Sequence, residues 1–389
     1  MRIAIYSGAI PDTTFIDLLV RGVAEAGVDV YLFGTKQKSV KYSNKHVHIY
    51  TTPKNKMGLV LSIICWFVVL LIAHPNRIKT IREQIRTKND KGKIRAWGKY
   101  LPIMLHLPDV FHLQWVKGAE DWLFLKQLGV KMIVSFRGNQ MNITPNTDTS
   151  VAISYHRALP QYDAYHCVSK AILEEGLKYG TTRDKSIVIY PAVQEKLLSN
   201  QLERKPSDTL RILSVGRDHW VKGYRVGLEV MALLKEKGVN FHYNIVAGGE
   251  KEELIYSIAD LNLKDEVTLI DNLPHEKVFE QHANADLFLL PSFEEGVANV
   301  VLEAMALGTP VVTTNCGGMS EVIEDGMNGF IVPIRNPQAM ADAVVRFTEL
   351  DENQKQSMVE KAKETIRQKH LLSIQVRQMV ELYERVCNE

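Results

Sequence analysis

The stretch EEGVANVVLEAMALGTPVV, residues 294–312, decides the fold. It contains two glutamates eight positions apart, Glu295 beside a glycine and Glu303 inside an apolar run. The residues before it, LFLLPSF, are typical of a buried strand that enters a loop, and PVV at its end is typical of the next strand. A strand, a helix and a second strand form the repeating unit of a parallel α/β sheet. Taken alone, the two glutamates could equally be exposed and half-exposed residues of one helix.

Strand-like and helix-like patterns alternate along the whole chain, which indicates parallel sheets flanked by helices. A helix is predicted at Phe15–Ala26. The predicted strands are Arg2–Tyr6, Val28–Phe33, Val110–Leu113, Met132–Phe136, Ala164–Val168 and Ile187–Tyr190 in the first half, and Leu210–Val215, Phe241–Val246, Val267–Ile270, Leu287–Leu290, Pro310–Thr314 and Phe330–Val332 in the second. The expected fold class is therefore α/β.

A polar stretch at 194–208 separates the two series of strands. We expect an N-terminal domain at 1–193, a linker at 194–208 and a C-terminal domain at 209–370. The amphipathic pattern of Leu371–Val386 predicts a final helix, and residues 371–389 are expected to pack back on the N-terminal domain. Two α/β domains that face each other form a cleft at the carboxyl ends of their strands, where such sheets bind ligands.

The net charge of +2 is unevenly distributed over the 389 residues. Residues 1–190 contain 26 Lys and Arg against 14 Asp and Glu, whereas residues 191–389 contain 21 against 31. Halves of opposite charge fit two domains with different partners. The four cysteines are far apart and form no CxxC pair, which indicates reduced thiols. The first residues, MRIAIYSG, are typical of a strand rather than a signal peptide, so we expect a cytoplasmic protein.

Residues 57–73, MGLVLSIICWFVVLLIA, contain no charge. A helix of this length is at the short limit of a membrane span, which takes about 20 residues. Three alternatives are open: a membrane span, a buried helix, and a helix that lies on a membrane surface. Residues 74–99 contain nine Lys and Arg and two acidic residues, which favours contact with an anionic membrane surface. A solvated basic helix is the alternative for that second stretch.

The second half begins with ILSVGRDHWVKG, residues 212–223. A strand runs into Gly216, and the loop that follows is predicted to carry Arg217 and Lys222 to the carboxyl edge of the sheet, before a helix begins near Tyr224. A guanidinium and an ammonium there suit the two phosphates of a nucleotide sugar. Two solvated loop cations are the alternative, because Arg-x₄-Lys is a weak motif.

Glu295 is predicted to lie at the same edge, directly before a helix, and Gly296 allows the backbone a close turn. The N-terminus of that helix attracts phosphate through its free amides. These amides are those of Val297, Ala298 and Asn299. Glu303 follows about two turns later, and a carboxylate there can accept hydrogen bonds from a diol such as ribose. The spacing fits a sugar at Glu295, a ribose at Glu303 and the diphosphate between them.

These motifs resemble a known family. Residues 295–303 match the E-x₇-E motif of the retaining glycosyltransferases of family 4, which have the GT-B fold, and VGRDHWVKG at 215–223 resembles their Gly-Arg…Lys-Gly loop. Residues 291–333 resemble the long C-terminal signature of the family nearly throughout. IYSGAIPDTTFI at 5–16 and PDVFHLQW at 108–115 resemble members that build bacterial surface polysaccharides. The resemblance implies two Rossmann-like domains whose parallel sheets face each other across a cleft.

Carried over to this chain, the resemblance implies that Arg217 and Lys222 bind the donor diphosphate. It implies that Glu295 contacts the donor sugar and Glu303 the ribose. The Gly-Gly-x-x-Glu segment of the family, on the nucleotide side of the cleft, corresponds to Gly317, Gly318 and Glu321. The implied donor is a nucleoside-diphosphate sugar, with UDP favoured over GDP. No metal or other cofactor is expected, because the chain has no DxD motif, and cations with a helix end would stabilise the leaving diphosphate instead.

The N-terminal half departs from the family at one position. Members often have a histidine after the strand that is MIVSF here, but this chain has Arg137. An arginine cannot act as a base at neutral pH, yet it can stabilise the leaving phosphate or bind an acidic group of the acceptor. Pairing of Arg137 with Asp148 or Asp163 is the structural alternative.

Three more residues of this half are candidates for the site. His112 and His166 follow or end predicted strands, and each is otherwise a hydrogen-bonded histidine of the core. Gly8, in the first strand-to-helix loop, would let the backbone approach the donor or the acceptor.

The sequence therefore predicts a cytoplasmic hexosyltransferase of the retaining class, peripheral on the inner face of the cell membrane. It would move a sugar from a nucleoside diphosphate to a glycan or lipid-linked acceptor in bacterial polysaccharide biosynthesis. The expected partners are the donor, the acceptor and an anionic membrane surface, and no nucleic acid. Two alternatives stay open: a sugar-nucleotide 2-epimerase of the same fold, and a catalytically silent subunit that binds a nucleotide or a partner transferase.

Overall fold

The structure is a computed structural model that describes residues 1–86, 90–199 and 207–389. It divides into two compact units. The first unit comprises Met1–Val168, Leu173–Ile189 and Leu372–Glu389, and the second comprises Ser169–Ile172 and Tyr190–Leu371. Residues 200–206 of the linker predicted at 194–208 lie outside the described residues, as does Lys88 of the basic stretch.

The first unit is built on a parallel sheet of seven strands. The strands are β1 (Arg2–Ile10), β2 (Asp29–Lys36), β3 (Val47–Thr52), β4 (Val110–Leu113), β5 (Lys131–Phe136), β6 (Ala164–Cys167) and β7 (Ser186–Val188). Their order across the sheet is β3-β2-β1-β4-β5-β6-β7. This is the doubly wound order of a Rossmann-like domain, with one added edge strand.

The second unit is built on a parallel sheet of six strands. The strands are β8 (Leu210–Arg217), β9 (Phe241–Gly248), β10 (Val267–Ile270), β11 (Leu287–Leu290), β12 (Val311–Thr314) and β13 (Phe330–Val332). Their order is β10-β9-β8-β11-β12-β13, which repeats the Rossmann order. Two parallel Rossmann-like sheets in one chain are the architecture of the GT-B fold, so the predicted fold class is confirmed.

Helices connect most of the strands, although β2 is followed directly by β3. In the described residues the helices are α1 (Thr14–Glu25), α2 (Lys56–Ala73), α3 (Pro75–Ile85), α4 (Asp90–Leu105), α5 (Gly138–Asn142), α6 (Thr144–Thr147), α7 (Thr149–Ala158), α8 (Lys170–Leu177), α9 (Lys196–Ser199), α10 (Tyr224–Glu236), α11 (Glu252–Asp260), α12 (His275–Ala283), α13 (Asn299–Ala306), α14 (Pro337–Thr348), α15 (Glu352–Lys369) and α16 (Leu372–Asn388). The cores consist of strand residues and the apolar faces of these helices, as in the second unit, where Leu228 and Val344 pack together with strand β9.

The last helix, α16, packs on α1 in the first unit. Its apolar positions recur at helical spacing and become buried there, among them Met379 and Leu382. Gly22 of α1 lies so close to Val376 of α16 that a Cβ atom at this glycine would be 2.4 Å from the valine side chain. The two helices are therefore in close contact, and the end of the chain belongs to the core of the first unit.

Helix α2 is apolar on every side, and most of it is exposed. One side packs on α4 and on the sheet, where Trp66 lies against Tyr50 and Phe67 lies against Trp97. The large apolar residues exposed on α2 are Met57, Val60, Leu61, Ile64, Val68, Val69, Leu71 and Ile72. Within this helix only Leu70 is buried, so the buried-helix alternative for residues 57–73 is wrong. By length and composition α2 could cross a membrane, and no other helix of the described ranges could.

Candidate active site

The carboxyl ends of β8 and β11 form the candidate site of the second unit. These strands are neighbours in the sheet, and the chain continues from β8 towards β9 on one side and from β11 towards β12 on the other. Such a reversal leaves a crevice outside the strand ends, where α/β proteins bind ligands. The loop after β8 carries Lys222, and the loop after β11 carries Glu295.

Lys222 and Glu295 are in direct contact. The Nζ atom of Lys222 lies 2.7 Å from Oε1 of Glu295, and the hydroxyl of Ser292 donates to the same oxygen at 2.9 Å. The lysine and glutamate side chains are only 17% and 15% exposed. The contact at Oε1 is thus fixed by two donors, and the described residues supply no donor to Oε2.

Lys222 and Glu295 meet because the loop after β8 and the loop after β11 pack closely together. Gly223 has a φ of +65°, and a Cβ atom there would lie 2.0 Å from the carbonyl oxygen of Pro291. The backbone N–H of Phe293 donates to the carbonyl of Val221 at 2.7 Å. Gly216 lies under the lysine, since its Cβ would be 3.1 Å from Cε of Lys222. The loop after β8 is therefore held directly against the loop after β11.

The Gly-Gly segment after β12 packs against the backbone of Glu295 and Gly296. Gly317 has a φ of +51°, and a Cβ atom there would lie 1.7 Å from the carbonyl oxygen of Glu295. The N–H of Gly318 donates to the carbonyl of Gly296 at 2.8 Å. Three positions after Gly318, the carboxylate of Glu321 accepts hydrogen bonds from two backbone N–H groups and from one tyrosine hydroxyl. These donors are Lys170 and Ala171, both at close to 3 Å, and Tyr190 at 2.8 Å.

Helix α13 begins at Asn299, with Ala298 as its N-cap residue, so its N-terminus lies within the predicted residues 297–299. Val297 and Ala298 are buried. The N–H of Ala298 points to the sulfur of Met319, at 3.5 Å, and the side-chain oxygen of Asn299 is buried with no hydrogen-bond partner in the described residues. The start of the helix is therefore packed inward at its first residues.

Glu303 lies on α13 and is almost buried, and its partner is a histidine that the sequence did not single out. The Nε2–H of His275 donates to Oε1 of Glu303 at 2.8 Å. This hydrogen bond to the carboxylate raises the pKa of His275 above its ordinary value. His275 is the first residue of α12 and side-chain exposed by 41%, so the pair opens to solvent on one side.

Arg217 lies elsewhere than predicted. Strand β8 continues to Arg217, which pairs with Gly248 of β9, so Arg217 ends the strand and does not lie in the loop. Its side chain is exposed and has no ion pair or hydrogen bond in the described part of the chain. The structure thus brings together Lys222 and Glu295 but leaves Arg217 outside that contact.

In the first unit, Arg137 is held by Gln114. The guanidinium donates from Nε to the backbone carbonyl of Gln114 at 3.3 Å and from Nη2 to its Oε1 at 2.9 Å. Burial lowers the pKa of Arg137 to about 10, so the side chain is still a cation at neutral pH. The alternative pairings are not present: Asp163 accepts from Lys126, and Asp148 caps helix α7.

His112 and His166 are fully buried and belong to one chain of hydrogen bonds. His166 donates from Nε2 to a backbone carbonyl at 3.0 Å, so its Nδ1 accepts from the hydroxyl of Ser135 at 2.8 Å. Ser135 in turn accepts from Nε2 of His112 at 2.8 Å, and Nδ1 of His112 accepts from Tyr383 at 2.7 Å. Burial lowers the pKa of both histidines, that of His166 to about 3. Both are thus neutral histidines of the core, as in the structural alternative.

Gly8 lies inside a strand and not in the loop predicted for it. Strand β1 extends to Ile10, and its register with β2 shifts between Tyr6 and Gly8. The φ of Gly8 is +86° and no heavy atom lies within 4 Å of its ideal Cβ position. Gly8 therefore marks an irregularity of the strand at the carboxyl edge.

Sequence reasoning missed Ser292, His275 and Gln114. Each is in contact with a predicted residue. Ser292 and Gln114 lie in the segments 291–333 and 108–115 that resemble the family, but spacing marks neither of them, and His275 lies outside both segments. Ser292 precedes Glu295 by three positions in one loop, which is a local signal. His275 and Glu303 are 28 positions apart, so only the fold joins them. In the ranges that the structure describes, no group of three or more His, Cys, Asp or Glu side chains could hold a metal ion.

Comparison with protein families matches the second unit. Residues 198–365 match the family described as Glycosyl transferases group 1. This range includes the Lys222–Glu295 contact, Glu303 and the Gly-Gly segment. The first unit lies outside the matched range.

Curated relatives align over part of their length. The amylovoran biosynthesis glycosyltransferase AmsK of Erwinia amylovora is 30% identical over 240 residues, which are 60% of this chain and 59% of AmsK. The D-inositol 3-phosphate glycosyltransferase of Paenarthrobacter aurescens (strain TC1) is 32% identical over 178 residues, which are 43% of this chain and 44% of that protein. The chain therefore spans about half the length of the curated relatives that it matches.

Solved structures align over nearly the whole chain. Sucrose-phosphate synthase from Thermosynechococcus elongatus has a TM-score of 0.75 at 18% identity, with 99% of each chain covered. The Anabaena protein HepE, solved in complex with UDP and glucose, has a TM-score of 0.72 at 16% identity, with 99% of this chain and 100% of HepE covered. At these identities the similarity shows the fold alone.

Proposed function

We propose that the chain is a retaining glycosyltransferase of polysaccharide biosynthesis. It transfers a sugar from a nucleoside diphosphate, with UDP favoured over GDP, to a glycan or lipid-linked acceptor, and it needs no metal ion. The observation that carries the proposal is the contact of Lys222 with Glu295 at the switch point of the second sheet. A cation and a carboxylate at that point suit the two ends of a sugar diphosphate, which are an anion and a set of hydroxyls. The family match over 198–365 supports the same reaction.

During transfer, the bond between the anomeric carbon and the diphosphate oxygen breaks. The acceptor hydroxyl forms the new bond to that carbon on the same face of the sugar, and its proton passes to the departing diphosphate oxygen. Negative charge increases on the diphosphate as its bond breaks, so fixed cations lower the barrier. Lys222 supplies a cation held inside the site, and Arg217 supplies an exposed guanidinium at the end of β8.

The ion pair gives Lys222 and Glu295 related roles. Before the donor binds, each side chain neutralises the other, so neither is an unpaired charge in a largely buried place. The bound donor replaces the ion pair with two interactions of its own. Its diphosphate pairs with the ammonium of Lys222, and its sugar hydroxyls donate hydrogen bonds to the carboxylate of Glu295. Ser292 keeps the carboxylate oriented through Oε1 during this exchange.

The nucleoside lies towards Glu303 in this proposal. The ribose hydroxyls donate to the carboxylate, and His275 is its partner when no ribose is bound. The diphosphate lies between the two glutamates, near the start of α13, where the N–H of Ala298 points to the sulfur of Met319. Gly296 allows the ligand to approach because it has no side chain.

We assign the acceptor to the first unit. Arg137 remains a cation beside Gln114 and can hold an acidic group of the acceptor, as can the basic helices α3 and α4. The exposed apolar face of α2 supports a peripheral position on the inner, cytoplasmic face of the cell membrane, with anionic lipid as a partner. A membrane span by α2 is the alternative that remains for this helix.

The test is sugar transfer by the full chain and by Glu295→Gln. The protein is incubated with UDP-sugars and membrane lipid acceptors, and the product linkage is read from the coupling constant of its anomeric proton. We expect an α-linked product from an α-linked donor, and a loss of at least about a hundredfold in rate for Glu295→Gln because the sugar is misplaced. Glu229→Gln, a half-exposed change on α10 away from the site loops, should leave the rate unchanged. UDP binding without any transfer would contradict the proposal and favour a silent subunit.

A further inference from the structure

The first unit has a cavity that the proposed donor site does not use. It has a volume of about 310 Å³ and lies at the carboxyl ends of β2 and β3. Its lining includes Tyr6 and Tyr50 from the sheet, Leu59 from α2, and Arg95 from α4. The cavity therefore lies between the ligand-binding edge of a Rossmann-like sheet and the exposed apolar helix.

Cations from three positions line this cavity. Lys54 and Arg95 are both exposed, and neither has an ion-pair partner in the described ranges. Lys99 is different, because its Nζ lies 3.1 Å from Oδ2 of Asp121 and 4.3 Å from the ring centre of Trp122. Asp121 thus neutralises Lys99 in part, and the uncompensated charge of the cavity is that of Lys54 and Arg95. Two uncompensated cations match a ligand group with two negative charges.

The sheet side of the cavity adds a hydrogen-bond donor. Burial, and then the charge of Asp121, raise the pKa of Tyr6 to about 12. The phenol is therefore protonated at neutral pH and can donate to an anionic oxygen. Arg95 can bind two oxygens of one phosphate at once, whereas Lys54 acts as a point charge.

The neighbouring helix indicates where the ligand comes from. On α2 the exposed apolar residues Met57, Leu61, Ile64, Val68 and Ile72 follow one another at intervals of three or four positions, so they form one stripe along the helix. Leu59, on the first turns of the same helix, lines the cavity. Leu59 is on the side of α2 opposite to the stripe, where it packs against Gly98 of α4. The cavity is therefore about one helix diameter, roughly 10 Å, from a bilayer that covers the stripe, a distance that a lipid head group can span.

We propose that this cavity binds the diphosphate group of a membrane lipid that carries the acceptor. This inference rests on the proposed function, because the lipid is an acceptor only if the chain transfers a sugar. The occupant is a lipid and not a free diphosphate, because the cavity lies beside a helix whose opposite side is an exposed apolar stripe that a bilayer can cover. Its charge of at least two distinguishes the ligand from an ordinary phospholipid, whose phosphate carries one.

The experiment is vesicle flotation of the full chain. One set of vesicles contains polyprenyl diphosphate, and the other contains phosphatidylglycerol at equal surface charge. We expect about tenfold tighter binding to the diphosphate vesicles, a difference of about 1.4 kcal/mol. Lys54→Met with Arg95→Met should remove this preference. The matched control, Lys79→Met with Arg82→Met, removes two exposed charges from α3 outside the cavity, and should weaken binding to both vesicles equally.

Equal binding of the unaltered chain to both vesicles would overturn the inference, as would a preference that survives in the Lys54 and Arg95 variant. A second measurement needs no variant: saturating inorganic pyrophosphate should abolish the preference of the unaltered chain, and a preference that persists would contradict a diphosphate site. UDP binding is measured on the same samples. A lipid preference without UDP binding would contradict the proposed function alone, and UDP binding without a lipid preference would contradict this inference alone.

Discussion

The ammonium of Lys222 lies 2.7 Å from Oε1 of Glu295, and this contact joins two loops that are 73 positions apart in the chain. Both side chains are more than four-fifths buried. In such a place solvent and salt screen the pair less than on the surface. The same contact positions the two residues on which the proposed donor site depends.

The pair should show strong energetic coupling. Lys222→Met leaves the charge of Glu295 without its partner, and Glu295→Gln leaves the charge of Lys222 without its partner. We expect each single change to lower the free energy of unfolding, and the double change to cost less than the sum. The coupling energy from a double-mutant cycle in urea should be about 1–3 kcal/mol.

The control is Lys277 with Glu280, a pair of the same length on α12 whose side chains are both 58% exposed. Its coupling energy should be below about 1 kcal/mol. If both cycles gave the same small value, the buried contact between the loops would not exist in solution.

Gly317 should be intolerant of a side chain for two separable reasons. Its positive φ alone costs alanine about 1–2 kcal/mol, and the overlap of the new Cβ with the carbonyl of Glu295 adds about 1–3 kcal/mol. Gly326 has a φ of +72° but open space around its Cβ position, so Gly326→Ala carries the first cost only. Chemical unfolding of both variants measures the difference. A Gly317→Ala variant as stable as Gly326→Ala would show that the glycine does not support Glu295.

The His275–Glu303 pair should make stability depend on pH. The hydrogen bond to Glu303 raises the pKa of His275 in the folded chain, against smaller opposing effects of burial and Lys196. The contribution of the pair to the free energy of unfolding is therefore fully present below the unfolded pKa of His275, about 6.5. It is lost as the pH rises through the higher pKa of the folded chain.

The difference in unfolding free energy between the unaltered chain and His275→Gln should thus be largest at acidic pH and should fall as the pH rises above about 6.5, the unfolded pKa. His242→Gln is the control, because His242 contacts the hydroxyl of Thr268 and no carboxylate. A difference that grew with pH would reverse the predicted sign.

Arg217 should matter for binding and not for folding. Its side chain is exposed, so Arg217→Ala should leave the melting temperature of the free protein unchanged. The variant should bind UDP more weakly by about 1.5–3 kcal/mol, the range for a hydrogen bond to a charged group. Arg225→Ala removes a charge from the exposed face of α10 and is the matched control for calorimetric titration. Equal affinities for UDP would place Arg217 outside the site.

The sequence predicted the sheets well because buried parallel strands are apolar throughout. Seven segments, such as Val110–Leu113 and Val267–Ile270, coincide with the observed strands or differ by one residue. Strand β3 (Val47–Thr52) was missed, since it lies at an edge, is half-buried along its length and carries polar residues. The state of α2 could not be predicted either, because composition is the same for a buried and an exposed apolar helix.

For the site, spacing predicted which residues share an edge of the sheet but not which of them touch. Lys222 reaches Glu295 because Gly223 lets its loop pack on Pro291, and no local motif contains that contact. The partner of Glu303 was missed for the same reason. The two histidines of the core show the opposite case, in which a chemically suggestive residue type is explained by burial alone.

The most direct test of the account is thermal unfolding of the full chain with UDP, GDP, ADP or CMP, each with and without EDTA. A ligand at a hundred times its dissociation constant stabilises by about 2.7 kcal/mol, which is an easily measured shift. We predict that UDP gives the largest shift, that EDTA does not change it, and that Arg217→Ala reduces it. If no nucleotide shifted the transition, Lys222 and Glu295 would not form a donor site, and the proposed transfer function would be contradicted.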